Sequence, residues 1–173
     1  YSSAASDVYK RQIVYGLFGM LFFTTALKLG YSMISGALTL AIMILPLIMR
    51  TAEEALVSVP VSYREASFGL GAGKLRTIFR IVLPSAVPGI LSGVILAIGR
   101  VVGETAALMF TAGTVAKYAG IMDSGRTLAV HMYVLSSEGL HMEKAYATAV
   151  ILLCLVLIIN GFSGFIAKRI AKG

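Results

Sequence analysis

The sequence predicts an all-α integral membrane protein, a polytopic helical bundle, and three observations carry that prediction. Of its 173 residues, 58% are hydrophobic and 13% charged, and the mean hydropathy is +0.88, too apolar for an ordinary soluble domain. The apolar residues fall in long runs separated by polar islands. The charges gather at the ends of those runs, so the formal charge of +7, which in a soluble chain would point to nucleic acid, is read here as membrane topology. No heptad, low-complexity tract or internal repeat of about 20 to 50 residues is visible, so one domain is expected.

Residues 1–12 begin without methionine, are rich in Ser, Ala and charge, and show no periodicity leading onward. They are expected to be a non-native or disordered tail, with the membrane domain over residues 13–173 incomplete at its N-terminus and at least one more span upstream. The first apolar run, residues 13–27, falls short of the roughly 20 residues that a full span requires. Residues 31–49 make a fuller span, with Pro46 near its end, where neighbouring helices can satisfy the freed carbonyl. Arg50 marks its polar exit.

A loop over residues 50–84 comes next, carrying Arg50, Arg64, Lys74, Arg76 and Arg80 against Glu53, Glu54 and Glu65. The basic excess places it inside. Within it the stretch 63–84, YREASFGLGAGKLRTIFRIVLP, is a polar, basic island around which the chain is organised. Pro60 breaks the preceding segment, Glu65 supplies a negative charge near a helix start, and Gly69, Gly71 and Gly73 impose a bend. Beyond the bend Leu75, Ile78, Phe79 and Val82 recur at helical spacing, with Lys74, Arg76 and Arg80 off that face, until Pro84 ends the segment. The run GLGAGK resembles a phosphate-binding loop but fails its pattern: Phe68 stands where the first glycine belongs, and Leu75 comes after Lys74 where Ser or Thr is needed.

The next span is residues 86–111. It contains Arg100 and Glu104, each of which would cost about 2.5 to 3.5 kcal/mol if ionised at the bilayer centre. Four apart on a helix, they share a face and offset one another, with Thr105 beside them. Two readings stay open, a buried ion pair that fixes helix register and a translocation pathway in which the arginine fork holds an oxyanion. Gly89, Gly93, Gly99 and Gly103 form small-xxx-small pairs that admit a neighbouring helix.

Residues 117–144 form a charge-balanced outer loop. Its His131 and His141, with Glu138 and Glu143 nearby, match no zinc spacing, and no metal or cofactor is expected. Residues 145–167 are the last span, with Lys168, Arg169 and Lys172 beyond it on the inner side. Cys154, the single cysteine, is read as a small packing residue, and Tyr31, Tyr118, Tyr133 and Tyr146 as interfacial anchors.

Glu65 and Ala66, Gly71, and the ending Ile81, Leu83 and Pro84 closely resemble the EAA signature of ABC-importer permeases, with Ser67 in place of the usual alanine. The resemblance implies a type I permease fold. It also implies that this segment is a cytoplasmic helix-turn-helix fitting a groove on a separate ATP-hydrolysing subunit, so the chain itself is not an enzyme.

The element GRVVGETAALMFTAG, with Gly99, Arg100, Gly103, Glu104, Thr105 and Ala106, together with IVYGLFG upstream, resembles the phosphate-specific branch of these permeases, of the A-subunit type. That resemblance implies a heterodimer with a second permease subunit, a dimer of ATP-binding subunits, and an extracytoplasmic phosphate-binding protein, all in a bacterial inner membrane. Within the same class the alternative is an ABC permease for another solute, molybdate, sulfate or an amino acid, and from another class it is a membrane scaffold or channel without an ATPase.

Overall fold

The computed structural model describes residues 2–117, 120–139 and 141–170, and side chains from Lys10 onward except at positions 168 and 170. Eight α-helices are present among these residues: α1 Ser2–Gly19, α2 Met33–Val57, α3 Val61–Gly69, α4 Lys74–Thr77, α5 Leu83–Val102, α6 Ala106–Thr111, α7 Leu128–Glu138 and α8 Met142–Ile170. Two wider π-helical turns, Met20–Ala26 and Ile78–Val82, extend α1 and join α4 to α5. No strand occurs among the described residues. Three helical runs are long and apolar enough to cross a membrane: Met33–Val57, Lys74–Val102 and Met142–Ala167.

The chain divides into two compact units, one of Tyr1–Ile44 with Arg100–Leu157, the other of Leu45–Gly99 with Ile158–Gly173. The first is built around the short helix α6. Leu108, Ala112 and Val130 form its core, with Met33, Leu40, Met109 and Val134 packed on them. Glycines let the neighbouring helices approach this closely: a Cβ at Gly16 would lie 3.0 Å from the Cα of Ala107, and one at Gly36 would lie 2.9 Å from Leu108. In a bilayer, where apolar burial gives no advantage over lipid, such close backbone contact is what holds helices together. The first N–H groups of α2 are met by loop carbonyls, Met33 by Asp123 at 3.1 Å and Ile34 by Ile121 at 3.1 Å, so the donors a helix leaves over are satisfied.

In the second unit α2 and α5 run together. Ala55, Val59, Val82 and Ala86 are its buried core. A Cβ at Gly89 would meet Ala55 Cβ at 2.8 Å, and one at Gly93 would meet Thr51 Cβ at 2.7 Å, so these two glycines are the groove that receives α2. Gly99 instead faces Asn160 of α8. Gly103 lies past the end of α5 and is exposed, so it forms no packing pair with Gly99.

Several expected boundaries move. Residues 2–12 belong to α1. The 31–49 span runs on to Val57, because Arg50 continues the helix and pairs with Glu54 one turn later at 3.2 Å. The 86–111 segment is broken, with α5 ending at Val102 and α6 starting at Ala106. Gly103 weakens the helix there, and Glu104 turns to accept the N–H of Ala107 at 3.3 Å, which starts a new one. Pro84 does not end its segment but sits in α5. The π-helical turn just before it takes up the clash between its ring and the preceding turn. The 117–144 loop contains α7, capped by the Thr127 hydroxyl, which accepts from Val130 N, and closed by Gly139 at φ 69°. Cys154 is exposed on α8. Tyr118 lies outside the described residues.

Candidate functional site

The island at 63–84 folds as a helical hairpin. Pro60, at φ −53° and ψ 135°, turns the chain out of α2 and opens α3. Gly71 at φ 78° reverses the chain after α3, a conformation open to glycine at no steric cost, and Gly73 N-caps α4. The two arms are tied by Ser67 Oγ and Thr77 Oγ1, 2.8 Å apart and both buried. Thr77 Oγ1 also lies 3.2 Å from Gly73 O, and Arg64 Nη2 donates to Leu56 O at 3.0 Å, anchoring α3 to the end of α2.

The expected apolar face of the second arm is not an internal one. Thr77 and Val82 turn inward, while Leu75 is 71% exposed and Phe79 is 65% exposed. Leu70 at the tip is 89% exposed. Of the signature residues, Gly71 and Ile81 line one pocket with Ser67, Leu70, Ala72, Arg76 and Arg80. Glu65, Ala66, Leu83 and Pro84 are exposed outside it. The hairpin therefore presents a two-armed surface with apolar and basic groups.

The second candidate lies in the other unit. Glu104 is 2% exposed; its Oε2 accepts from Gln12 Nε2 at 3.0 Å and its Oε1 from Ala107 N at 3.3 Å. Arg100 is exposed near the end of α5 and is not a partner of Glu104. The helix break explains this, since four residues of continuous helix would have put both on one face. Thr105 is half-buried, its Oγ1 3.4 Å from the carbonyl of Gly103. Gln12, Glu104, Thr105, Phe110 and Tyr133 help to line a cavity of about 320 Å³, a size that admits a small oxyanion or a few waters.

Sequence reasoning missed Gln12, because it fell in a stretch set aside as a tail. It noted Ser67 only as standing in place of the usual alanine and did not single out Thr77 or Asn160. The pattern Gly16-x-x-Gly19 in an apolar run was the legible sign of a close helix contact. His131 lies in α7, where burial and the nearby Arg126 both lower its pKa, and no group of metal-ligating side chains occurs among the described residues.

Residues 13–172 match the family of binding-protein-dependent transport system inner membrane components. The chain belongs to that family. Among curated proteins it is similar to the probable ABC transporter permease protein YqgI of Bacillus subtilis, 36% identical over 92% of this chain and 60% of that protein. It is similar also to the phosphate transport system permease protein PstA of Mycobacterium leprae, 36% identical over 93% of this chain and 55% of the relative. With the PstA homolog of Mycoplasma pneumoniae the identity is 32%, over 89% of this chain and 25% of that protein. The chain thus spans about 60% or less of the length of these relatives. No solved structure matches it. As a member of this family the chain is a membrane transport component, consistent with its three apolar spans.

Proposed function

We propose that this chain is the permease subunit of an ATP-driven importer that carries inorganic phosphate across the bacterial cytoplasmic membrane. The single observation that carries the reading is the α3–α4 hairpin. It is locked internally by Ser67 and Thr77 yet leaves Leu70, Leu75 and Phe79 open, as a coupling element that docks on another subunit must. ATP hydrolysis then belongs to a separate ATP-binding dimer seated on that hairpin. A second permease subunit completes the pathway, and an extracytoplasmic phosphate-binding protein delivers substrate. Phosphate is favoured as cargo because relatives matching about nine-tenths of this chain carry it in their names. Closure of the ATPase dimer would push the hairpin and, through the continuous run Lys74–Val102, tilt the span joined to it.

The test is ATP-driven uptake of labelled phosphate by vesicles holding the intact transporter, with sulfate and molybdate as competitors. Phosphate alone should compete at low concentration. A Gly71→Trp variant, which cannot adopt the positive φ without strain, should lose uptake and co-purification of the ATPase together. Full retention of both would overturn the coupling role, and preferential competition by molybdate or sulfate would overturn the choice of cargo.

A further inference from the structure

The pocket beside the hairpin has a composition that docking on a protein groove does not require. It encloses about 380 Å³ and is lined by Arg76 and Arg80 together with Ser67, Gly71, Ala72 and Ile81, with no acidic residue among its lining. Neither arginine forms an ion pair among the described residues. Two guanidinium groups on one concave surface repel one another unless an anion lies between them, and the planar fork of each suits a phosphoryl group.

The depth of this pocket relative to the bilayer is set by helix length. The 20 residues of α5 rise about 30 Å, the thickness of the hydrocarbon core. Arg80 precedes that segment by three residues, or about 4.5 Å of rise, and Arg76 by seven, or about 10 Å. A headgroup layer is roughly 5 to 8 Å deep, so with α5 filling the hydrocarbon core Arg80 would fall within that layer and Arg76 would reach it with its side chain. On the same arm Leu75, Ile78 and Phe79 are exposed, an apolar flank next to a cationic pocket.

We propose that this pocket holds the phosphate headgroup of an anionic phospholipid from the leaflet facing the hairpin, with the acyl chains running past Leu83 along α5. Free phosphate has the charge but no chain to lie against Leu83 and the apolar span that follows it, and an acidic side chain of a partner would place no acyl chain there. A bound lipid would hold the coupling arm at a fixed height in the membrane.

Native mass spectrometry of the intact protein, released from mixed phosphatidylglycerol and phosphatidylcholine nanodiscs, provides the test. The wild type should retain phosphatidylglycerol preferentially. Juxtamembrane arginines contribute about fivefold each to anionic-lipid binding, so Arg76→Gln with Arg80→Gln should reduce that preference about thirtyfold. The charge-preserving pair Arg76→Lys with Arg80→Lys, which loses the fork but not the charge, should retain a preference intermediate between wild type and the glutamine pair, which separates loss of the site from loss of the fold. Equal retention of both lipids by the wild type, or an unchanged preference in the glutamine variant, would overturn the proposal. So would displacement of phosphatidylglycerol by millimolar inorganic phosphate, which would identify a free-anion site. Glutamine substitutions that release the ATPase subunit but leave lipid retention intact would make the pocket a protein-docking surface.

Discussion

Ser67 Oγ and Thr77 Oγ1 stand 2.8 Å apart across the two arms of the α3–α4 hairpin, buried and ten residues apart in sequence. The bond links the third position of the signature segment to the first turns of the helix entering the membrane, so the hairpin moves as one body. Ser67→Ala, a change to the residue usual at this position, should cost about 1 kcal/mol. Thr77 keeps its contact with Gly73 O, so the loss should be confined to the joint between arms. Hydrogen exchange of the amides of residues 66–77 should quicken about fivefold, with the rest of α5 unchanged. Exchange as slow as in the wild type would mean that the bend at Gly71 alone holds the arms.

The Gly93–Thr51 contact makes a sharper demand. A Cβ at Gly93 would lie 2.7 Å from Thr51 Cβ and closer still to its hydroxyl, and both residues sit in well-packed helix. Gly93→Ala should destabilise the second unit by about 1 to 3 kcal/mol, read as a fall in thermal unfolding temperature in detergent. Adding Thr51→Gly should recover much of that loss, since the removed atoms are those in the way. Gly161→Ala on α8 meets nothing within 4 Å and should be neutral or mildly stabilising.

The loop at residues 120–123, tied to Lys117 through Asp123, carries a pH dependence of defined sign. Asp123 accepts from the backbone N–H of Gly120 and from Lys117 Nζ, and these hold its pKa below the ordinary 3.8, the backbone bond being the larger cause. A depressed carboxylate stabilises the loop fully at pH above its ordinary value and loses that contribution as pH falls through the lowered one. Protease susceptibility of this loop should therefore be flat from neutral pH down to about 4 and rise only below it. Asp123→Asn should be more susceptible at neutral pH and show no acid-side rise.

How much of this was legible beforehand depends on the range of the interaction. The two long helices α2 and α8 can be read from apolar runs, and the hairpin from Pro60, the glycines and the basic island, because all of these are local signals. The break at residues 103–105 reads as continuous helix in the sequence: Gly103, Glu104 and Thr105 interrupt the apolar run, but a short polar step does not by itself tell a break from a buried charge in an unbroken span. Glu104 turns away from the helix to partners set by tertiary structure, Gln12 lying 92 residues earlier. Ser67 was underestimated for the same reason: a hydroxyl reads as a small residue until its partner is known.

The buried carboxylate separates two ideas that the spacing of Arg100 and Glu104 had merged. Glu104 is held by Gln12 and the Ala107 amide, whereas Arg100 is exposed on α5. A functional ion pair would make Arg100→Ala and Glu104→Gln strongly non-additive, by about 0.5 to 3 kcal/mol, while independent sites add within about 0.5. The geometry predicts additivity, in both thermal stability and uptake rate. Non-additivity should appear instead between Glu104→Gln and Gln12→Leu, because either change alone leaves a buried polar group short of a partner at a cost of about 1 to 3 kcal/mol. Double-mutant cycles on both pairs decide the matter. Strong coupling of Arg100 with Glu104 and none with Gln12 would show that the two charges meet in the working transporter, and that the carboxylate leaves α1 to do so.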